Sequence, residues 1–596
     1  MQEIDISEDN ITYKNFTLEN NKFKAIQENP SIIIDLQGRY VEKFNYKYEI
    51  DDNVDVEVVL IERNAYGDPQ EVTSSDRLLT DINISSQSIR NYVYTIELKF
   101  QSNELVIHDL QIDNRTKLNS YLFLIIFITG LIILISFLFR KQIFKKTENV
   151  FLLVATTTGL LFILLLPNRL GLSWDDQIHF QYIYSLSQKG MVKWTQSPFH
   201  LIDRVSTNNF SFLNTPEERA EARKFLNTNH DYSKAVAVLE KKNFFDYTKL
   251  AYYPLALTFR TADSLGLPFT ISLVLSKLAN LLIYVITIYF AIKITPIFKK
   301  GFTYIALLPG PMFLATQFSC DPLITAFFFL AIAVLLKMIL EEKPVTWREL
   351  LLFIVSIVIA ASPKGVYIIS LLLLPLLPRE KFKDNKQRNW ISIIVVIVFL
   401  LVLSSFLLPR ISGSTPFTDT RGGDTDSIKQ ILLIKEQPLS FLRIFSKNMF
   451  TEFSYKFIGI GTIGHFAYVG AITSFNLYYL SLFFLSFFVI TDTYNQDSQK
   501  HIPIKIKVAM VFVILSIISS IWAILYLSFT PTRETTINGV QGRYFIPLLP
   551  LLFLIINSYY IKTKIPEKTY NWILLISTTF LLIGSISTMI LRPYCF

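Results

Sequence analysis

The sequence predicts an α-helical polytopic membrane protein with an N-terminal β-domain, and three observations predict it. Hydrophobic residues fill 51% of the 596 positions and mean hydropathy is +0.38. A soluble chain of that length divides into several domains with more charge on their surfaces. From residue 120 onward, apolar runs follow one another with the charge confined to short clusters between them, the pattern a bilayer imposes. Residues 1–115 alternate apolar and polar positions instead.

In that N-terminal stretch Ser31–Asp35, Val54–Leu60, Tyr92–Phe100 and Leu105–Ile112 read as strands, separated by turn residues such as Gly67-Asp-Pro69 and the segment 81–88. Period-two alternation without a competing helical stripe predicts a β-sandwich over 1–115. The remainder, 116–596, is the transmembrane domain. Its apolar runs are 120–139, 148–167, 269–292, 301–319, 322–340, 349–361, 365–378, 390–408, 475–491, 506–528, 544–560 and 570–590. About 20 apolar residues span a bilayer, so the expectation is about 11–13 transmembrane helices. The runs on either side of Pro363 are short and predict half-length or tilted helices around a tight turn.

Orientation follows from the basic residues. Arg140, Lys141, Lys145 and Lys146; Lys293, Lys299 and Lys300; Lys343 and Arg348; Arg379, Lys381, Lys383, Lys386 and Arg388; Lys500, Lys505 and Lys507; and Lys562, Lys564 and Lys568 fall in alternate loops. The positive-inside rule makes that face cytoplasmic. The N-terminal domain and the loops 168–268, 409–474 and 529–543 are then extracytoplasmic. Met1 to Asp5 contain neither a signal nor a membrane helix, so this placement calls for an upstream anchor helix or unaided translocation.

The net charge of +9 belongs to these loops and to lipid headgroups, and no nucleic-acid partner is expected. Two cysteines, Cys320 and Cys595, make no disulfide framework or zinc spacing. No HExxH, P-loop or Rossmann glycine pattern occurs.

Polar residues that stand out lie on the extracytoplasmic side. In Ser173-Trp-Asp-Asp-Gln-Ile-His-Phe180, Asp175 and Asp176 are adjacent acids at the membrane edge. Such groups are costly unless paired or used. One carboxylate can serve as general base on an acceptor hydroxyl while its neighbour holds a cation or orients the acceptor. The bland alternative is a helix start with acids in its first turn. Asp321 precedes Pro322 at an outer turn, where an acid often caps the next helix. Lys364 and Arg543 are cations on the side that should carry few, and they either snorkel to headgroups or clamp a lipid phosphate. Arg260 is a third cation of this kind. His179 and His465 are hydrogen-bonding structural groups or site members. Trp174 and Trp194 belong to the interfacial aromatic belt or stack on a sugar.

The order of motifs resembles a known family. After Ser173–Phe180 come Tyr252-Tyr-Pro-Leu255 with Ser264-Leu-Gly-Leu-Pro268, then Leu307-Leu-Pro-Gly-Pro-Met312 with Gln317-Phe-Ser-Cys-Asp321, then Pro363-Lys-Gly-Val-Tyr367, and last Gly539-Val-Gln-Gly-Arg-Tyr-Phe-Ile-Pro547. Over most of 120–596 this is similar to an uncharacterised family of bacterial polytopic membrane proteins related to the GT-C superfamily of polyprenyl-phosphate-sugar-dependent glycosyltransferases. The last motif is the most specific. Two departures are Asp175-Asp176 where the family more often has Asp-Glu, and Lys364-Gly365 where it more often has Lys-Pro.

The resemblance implies a GT-C-like fold in a bacterial cell membrane with its active site facing the extracytoplasmic side. An inverting enzyme would move a sugar from a polyprenyl-phosphate-linked donor to a cell-envelope glycan. Asp175 would be the general base and Asp176 a cation or acceptor ligand. Lys364 and Arg543 would bind the departing phosphate, with Asp321, Arg260, Gln541, Trp174 and His179 completing the substrate-binding set. A divalent cation (Mg or Mn) is compatible with this scheme but implied by no ligand cluster. The rivals are a transporter or flippase of lipid-linked glycans, which calls for charge at mid-membrane depth and an inverted repeat, and a non-enzymatic envelope-polysaccharide assembly protein. Away from the run ends, Lys277 is the sole charge within the runs.

Overall fold

The computed structural model describes the chain apart from residues 1–2, 7, 53, 64–66, 79–83, 103, 115–119, 188–215, 230–245, 413–418, 454–455, 457–458, 473–474, 494–500, 558–560 and 592–596. Trp194 and Cys595 lie outside the described residues. The chain forms two compact units, residues 1–119 with 204–211, and residues 120–203 with 212–596.

The first unit is one antiparallel sheet. Its strands are β1 (Glu3–Asp5), β2 (Ile11–Lys14), β3 (Phe16–Glu19), β4 (Lys22–Ala25), β5 (Ser31–Ile50), β6 (Val54–Arg63), β7 (Pro69–Leu78), β8 (Ile84–Phe100) and β9 (Leu105–Asp113). The order is β3-β4-β9-β5-β8-β6-β7, with β1 beside β9 and β2 beside β5. Every stretch read as a strand lies within β5, β6, β8 or β9. β5 runs to 20 residues because it continues through Gln37 and Gly38. Both adopt positive φ (53° and 76°), and the register against β8 jumps there from Asp35 to Arg39. Such a bulge bends a strand without ending it.

The bend has a consequence for the expected sandwich. Phe16 of β3 packs edge-on against Phe100 of β8 with ring centroids 5.9 Å apart, although β4, β9 and β5 lie between those strands in the sheet. The sheet therefore rolls over on itself, and its own two halves enclose Ile34, Phe44, Tyr46, Val58, Leu98 and Ile107. A continuous rolled sheet replaces the expected pair of stacked sheets.

Among the described residues of the second unit, seven helices are long and apolar enough to cross a membrane: Tyr121–Leu138, Thr147–Leu165, Phe269–Ile294, Asp321–Leu340, Asn385–Ile411, Ile504–Ser528 and Glu567–Ile590. The remaining apolar runs are shorter or broken. Run 301–319 is split into Lys299–Ala306 and Pro309–Ala315, because a proline there cannot donate to the preceding turn. Run 349–361 is the helix Trp347–Ala361, and run 475–491 is Phe475–Thr491. Run 365–378 is a 3₁₀ helix over Gly365–Leu373. At about 2.0 Å per residue it gains length that an α-helix of the same run would not reach. Run 544–560 opens with 3₁₀ turns at Gly542–Tyr544 and Ile546–Leu548 before the helix Leu549–Ile556.

These broken runs still join the same two ends of the bundle as the long helices. At one end Asn571 Nδ2 donates to the Phe144 carbonyl (3.1 Å), Lys300 pairs with Glu567 (3.7 Å), Asp492 accepts from the backbone of Lys300 and Gly301, and Thr563 N donates to the Thr493 carbonyl. Val345 N donates to the Lys381 carbonyl (2.7 Å), so two further basic loops also meet. The helix Asp321–Leu340 separates that loop pair from Asp321 by about 30 Å, its 20 residues rising about 1.5 Å each. That basic loop pair thus lies opposite the end that holds Asp321.

Candidate functional site

Asp175 begins the site. It occupies the left-handed region at φ +56°, a conformation that costs a non-glycine residue about 1–2 kcal/mol. The helix Asp176–Ser187 follows at once. Asp176 explains how the turn is held: its carboxylate accepts from the backbone N–H groups of Gly171 (3.1 Å), Leu172 (3.0 Å) and Ser173 (3.1 Å). Burial pushes the Asp176 carboxyl up, and those N–H groups pull against it. The two adjacent acids therefore point to different tasks. Asp176 folds the loop back onto its helix, and Asp175 is turned towards the cluster.

Arg543 is the hub of that cluster. It is 3% exposed, and its Nη2 donates to Asp175 Oδ2 at 2.7 Å while Nη1 donates to Asp321 Oδ2 at 3.2 Å. Nε donates to Gln541 Oε1 (2.6 Å), and Nη1 also reaches the Trp174 carbonyl (3.3 Å). The guanidinium lies 5.1 Å from the Trp174 ring and 5.3 Å from that of Tyr544. A buried guanidinium is tolerable only with its donors matched this way. Gly542 permits the placement, because a Cβ there would meet the Gly461 carbonyl oxygen at 2.2 Å.

Asp321 opens the span Asp321–Leu340, where an acid complements the helix dipole. Its other oxygen, Oδ1, takes Lys364 Nζ at 2.5 Å, and the ammonium sits 4.1 Å from the Tyr544 ring centroid. Asn280 Nδ2 orders the preceding turn by donating to the carbonyls of Gln317 (2.8 Å) and Ser319 (3.1 Å). Tyr367 O–H donates to the Tyr544 carbonyl at 2.7 Å, which ties the Lys364 turn to the Arg543 turn.

Arg421, from a short turn at Thr420–Gly422, closes the cluster. Its Nη1 donates to Asp175 Oδ1 at 2.7 Å, and Nε and Nη2 grip Asp419 (2.9 and 2.5 Å). Burial pushes the Asp175 carboxyl up, but Arg543 and then Arg421 outweigh it and hold the group below the ordinary carboxylate range. His179 sits below. Its Nδ1 shares a 2.7 Å hydrogen bond with Tyr252 O–H, while Nε2 is buried with no hydrogen-bond partner among the described residues. Burial, reinforced by the Arg543 charge, pushes its imidazole down to about 3, so the ring is neutral at physiological pH.

Of the residues singled out from sequence, Asp175, Asp321, Lys364, Arg543, Gln541 and Trp174 share this cluster and His179 adjoins it. Asp176 serves the backbone beside it. Arg260 is exposed on the helix Tyr253–Ser264 and enters none of the cluster's contacts. His465 stacks on Trp174 with centroids 4.8 Å apart. Sequence reasoning missed Arg421 and Asp419. The usable signal was a further cation in the loop 409–474, but that loop holds several of those. Among the described residues no group of three or more His, Cys, Asp or Glu side chains is placed to hold a metal ion. The position between Asp175 and Asp321 is filled by Arg543.

The arrangement offers an ionised carboxylate at a solvent margin, backed by guanidiniums able to receive an anion. A family model described as predicted membrane protein (DUF2142) matches residues 157–552, a range containing every member of the cluster. No curated protein and no solved structure matches the chain.

Proposed function

The chain belongs to the DUF2142 family of predicted membrane proteins, and from that premise we propose that it is an inverting glycosyltransferase of GT-C type. It takes a sugar from a polyprenyl-phosphate-linked donor and passes it to a cell-envelope glycan at the extracytoplasmic face of a bacterial membrane. The observation that carries this reading is the chain of ion pairs from Arg421 through Asp175, Arg543 and Asp321 to Lys364. It draws acids and cations from separate segments to the bundle end opposite the basic loop pair of Val345 and Lys381. By the positive-inside rule that end is extracytoplasmic, where lipid-linked sugars are used and nucleotide sugars are not expected.

The residues divide the reaction between them. Asp175 accepts the proton of the acceptor hydroxyl as the hydroxyl oxygen bonds to the anomeric carbon. The bond from that carbon to the phosphate oxygen breaks, and its electron pair leaves on the phosphate. One displacement inverts the anomeric configuration. Guanidiniums placed where the phosphate gains charge stabilise the transition state more than the ground state. Lys364 compensates Asp321 so that Arg543 is not drawn wholly to it. Asp176 keeps the Gly171–Ser173 turn closed, and the Trp174 ring supports the Arg543 guanidinium.

Detergent solution separates this reading from its main rival. Purified protein in micelles, given a radiolabelled polyprenyl-phosphate sugar and an envelope glycan, is expected to form labelled glycan. A flippase has no two sides to connect there and forms none. Absence of transfer by folded protein across a panel of donors and acceptors would remove the enzymatic reading.

A further inference from the structure

The two oxygens of Asp175 face guanidiniums of opposite character. Oδ2 is held by Arg543, which is 3% exposed and also bridges Asp321. Releasing Arg543 would leave two carboxylates with less compensation in a low-dielectric site, a costly step. Oδ1 is covered by Arg421, whose side chain is 48% exposed. Arg421 is aimed by its surroundings. Asp419 N donates to the Ser528 carbonyl (2.8 Å) and Thr532 N to the Asp424 carbonyl (3.1 Å). Gly422 packs so closely on Phe529 that a Cβ would meet its carbonyl oxygen at 1.9 Å. The turn is thus docked on the end of the helix Ile504–Ser528, while the guanidinium remains at the solvent margin.

Charge sets the next constraint. Asp175, Asp321 and Asp419 are matched by Arg543, Lys364 and Arg421, so among the described residues the resting cluster has no spare cation for an arriving anion. An anion must take a cation from one of the acids, and Arg421 is the accessible one.

We propose that Arg421 is a positioning residue that caps Asp175 until the phosphate of the lipid-linked donor displaces it. The phosphate takes the Nη1 donor now given to Asp175 Oδ1, and the freed oxygen then meets the acceptor hydroxyl. Asp419 retains its hold through Nε and Nη2, so the guanidinium swings between partners without leaving the site. Exchange of a carboxylate for a phosphate at the same guanidinium keeps a charge-assisted bond throughout. Oδ1 is released from its guanidinium only when a donor is present, so the carboxylate stays paired on both oxygens until the donor arrives. This cap rests on the glycosyltransferase reading for its ligand, though not for its existence.

Carbodiimide labelling of Asp175 in the full-length protein, read by peptide mass spectrometry with the exposed Glu436 as internal reference, tests it. The reagent attacks protonated, accessible carboxyl groups, so capped Asp175 in wild type is expected to label weakly. Arg421→Gln is expected to raise labelling several-fold. Arg421→Lys, whose single ammonium cannot hold Asp419 and Asp175 together, gives an intermediate value and serves if the first variant fails to fold. A short-chain polyprenyl monophosphate should raise labelling in wild type and add nothing in Arg421→Gln. Unchanged labelling in folded Arg421→Gln would overturn the cap. Polyprenyl phosphate that binds but lowers labelling would overturn its displacement, and an equal rise with inorganic phosphate would overturn the lipid as its trigger. If polyprenyl phosphate does not bind at all, the glycosyltransferase reading fails while the Arg421 variants still decide the cap.

Discussion

Replacing Arg543 with alanine probes the hub directly. The guanidinium is 3% exposed and compensates both Asp175 and Asp321. Removing one partner of a buried ion pair costs about 3–5 kcal/mol, because the other charge stays behind unpaired. Here neither acid is left wholly alone, since Asp321 keeps Lys364 and Asp175 keeps Arg421. The expected loss is therefore at the lower end, about 3 kcal/mol. Unfolding of the purified protein in mixed micelles with increasing SDS measures it. Arg543→Lys should recover only part of the loss, because one ammonium cannot serve both carboxylates and Gln541. Adding Asp321→Asn to Arg543→Ala should also recover part, by neutralising one of the stranded acids. Arg543→Ala should further raise the apparent donor constant, since a lipid phosphate is charged before and during transfer. Equal unfolding midpoints for wild type and Arg543→Ala would refute the hub.

Other outcomes follow from neighbouring residues. Asp176→Ala should destabilise the protein by about 1.5–3 kcal/mol, the scale of a hydrogen bond to a charged group, while folded protein keeps its donor constant, as thermal unfolding and kinetics together would show. His179, held neutral with its imidazole pushed down to about 3 by burial and then Arg543, faces Tyr252, Asp175, Asp321, Arg543 and Lys364. Its unfolded counterpart takes a proton near the ordinary value of about 6.5. The associated stability is complete above that pH and is lost as pH falls from there towards 3. A His179→Gln protein should lack that part of the acid sensitivity when unfolding midpoints are compared across pH. Gly542→Ala should reduce folded yield sharply, because its Cβ would lie 2.2 Å from the Gly461 carbonyl oxygen; normal yield and activity would show that the approach of those two turns is not required.

Much of the site was legible in the sequence because membrane topology makes certain residues conspicuous. Lys364 and Arg543 stood out as cations on the side that should carry few, and Asp321 as an acid at an outer turn. Adjacency hid the difference between Asp175 and Asp176. Only backbone geometry separates them, with one residue at φ +56° and the next receiving three backbone N–H bonds. Arg421 was hidden because its loop carries other cations, and what distinguishes it is the docking of Gly422 against Phe529. In the β unit, alternation revealed the strands. It did not reveal that β5 continues through the Gln37–Gly38 bulge, since a glycine at positive φ resembles a turn in sequence. In the bundle, hydropathy marked every apolar run but not which ones break. That depends on how prolines such as Pro309 and Pro547 are satisfied by their neighbours.

The central claim is that Asp175 acts as the base in sugar transfer, and turnover by folded Asp175→Asn protein tests it most directly. A general base contributes roughly 100- to 10,000-fold in rate, so kcat for transfer from a polyprenyl-phosphate sugar should fall by that factor. Donor KM should change little, the mark of an interaction made mainly in the transition state. Near-normal kcat in folded Asp175→Asn would contradict the claim and leave the carboxylate a structural counterion to Arg543.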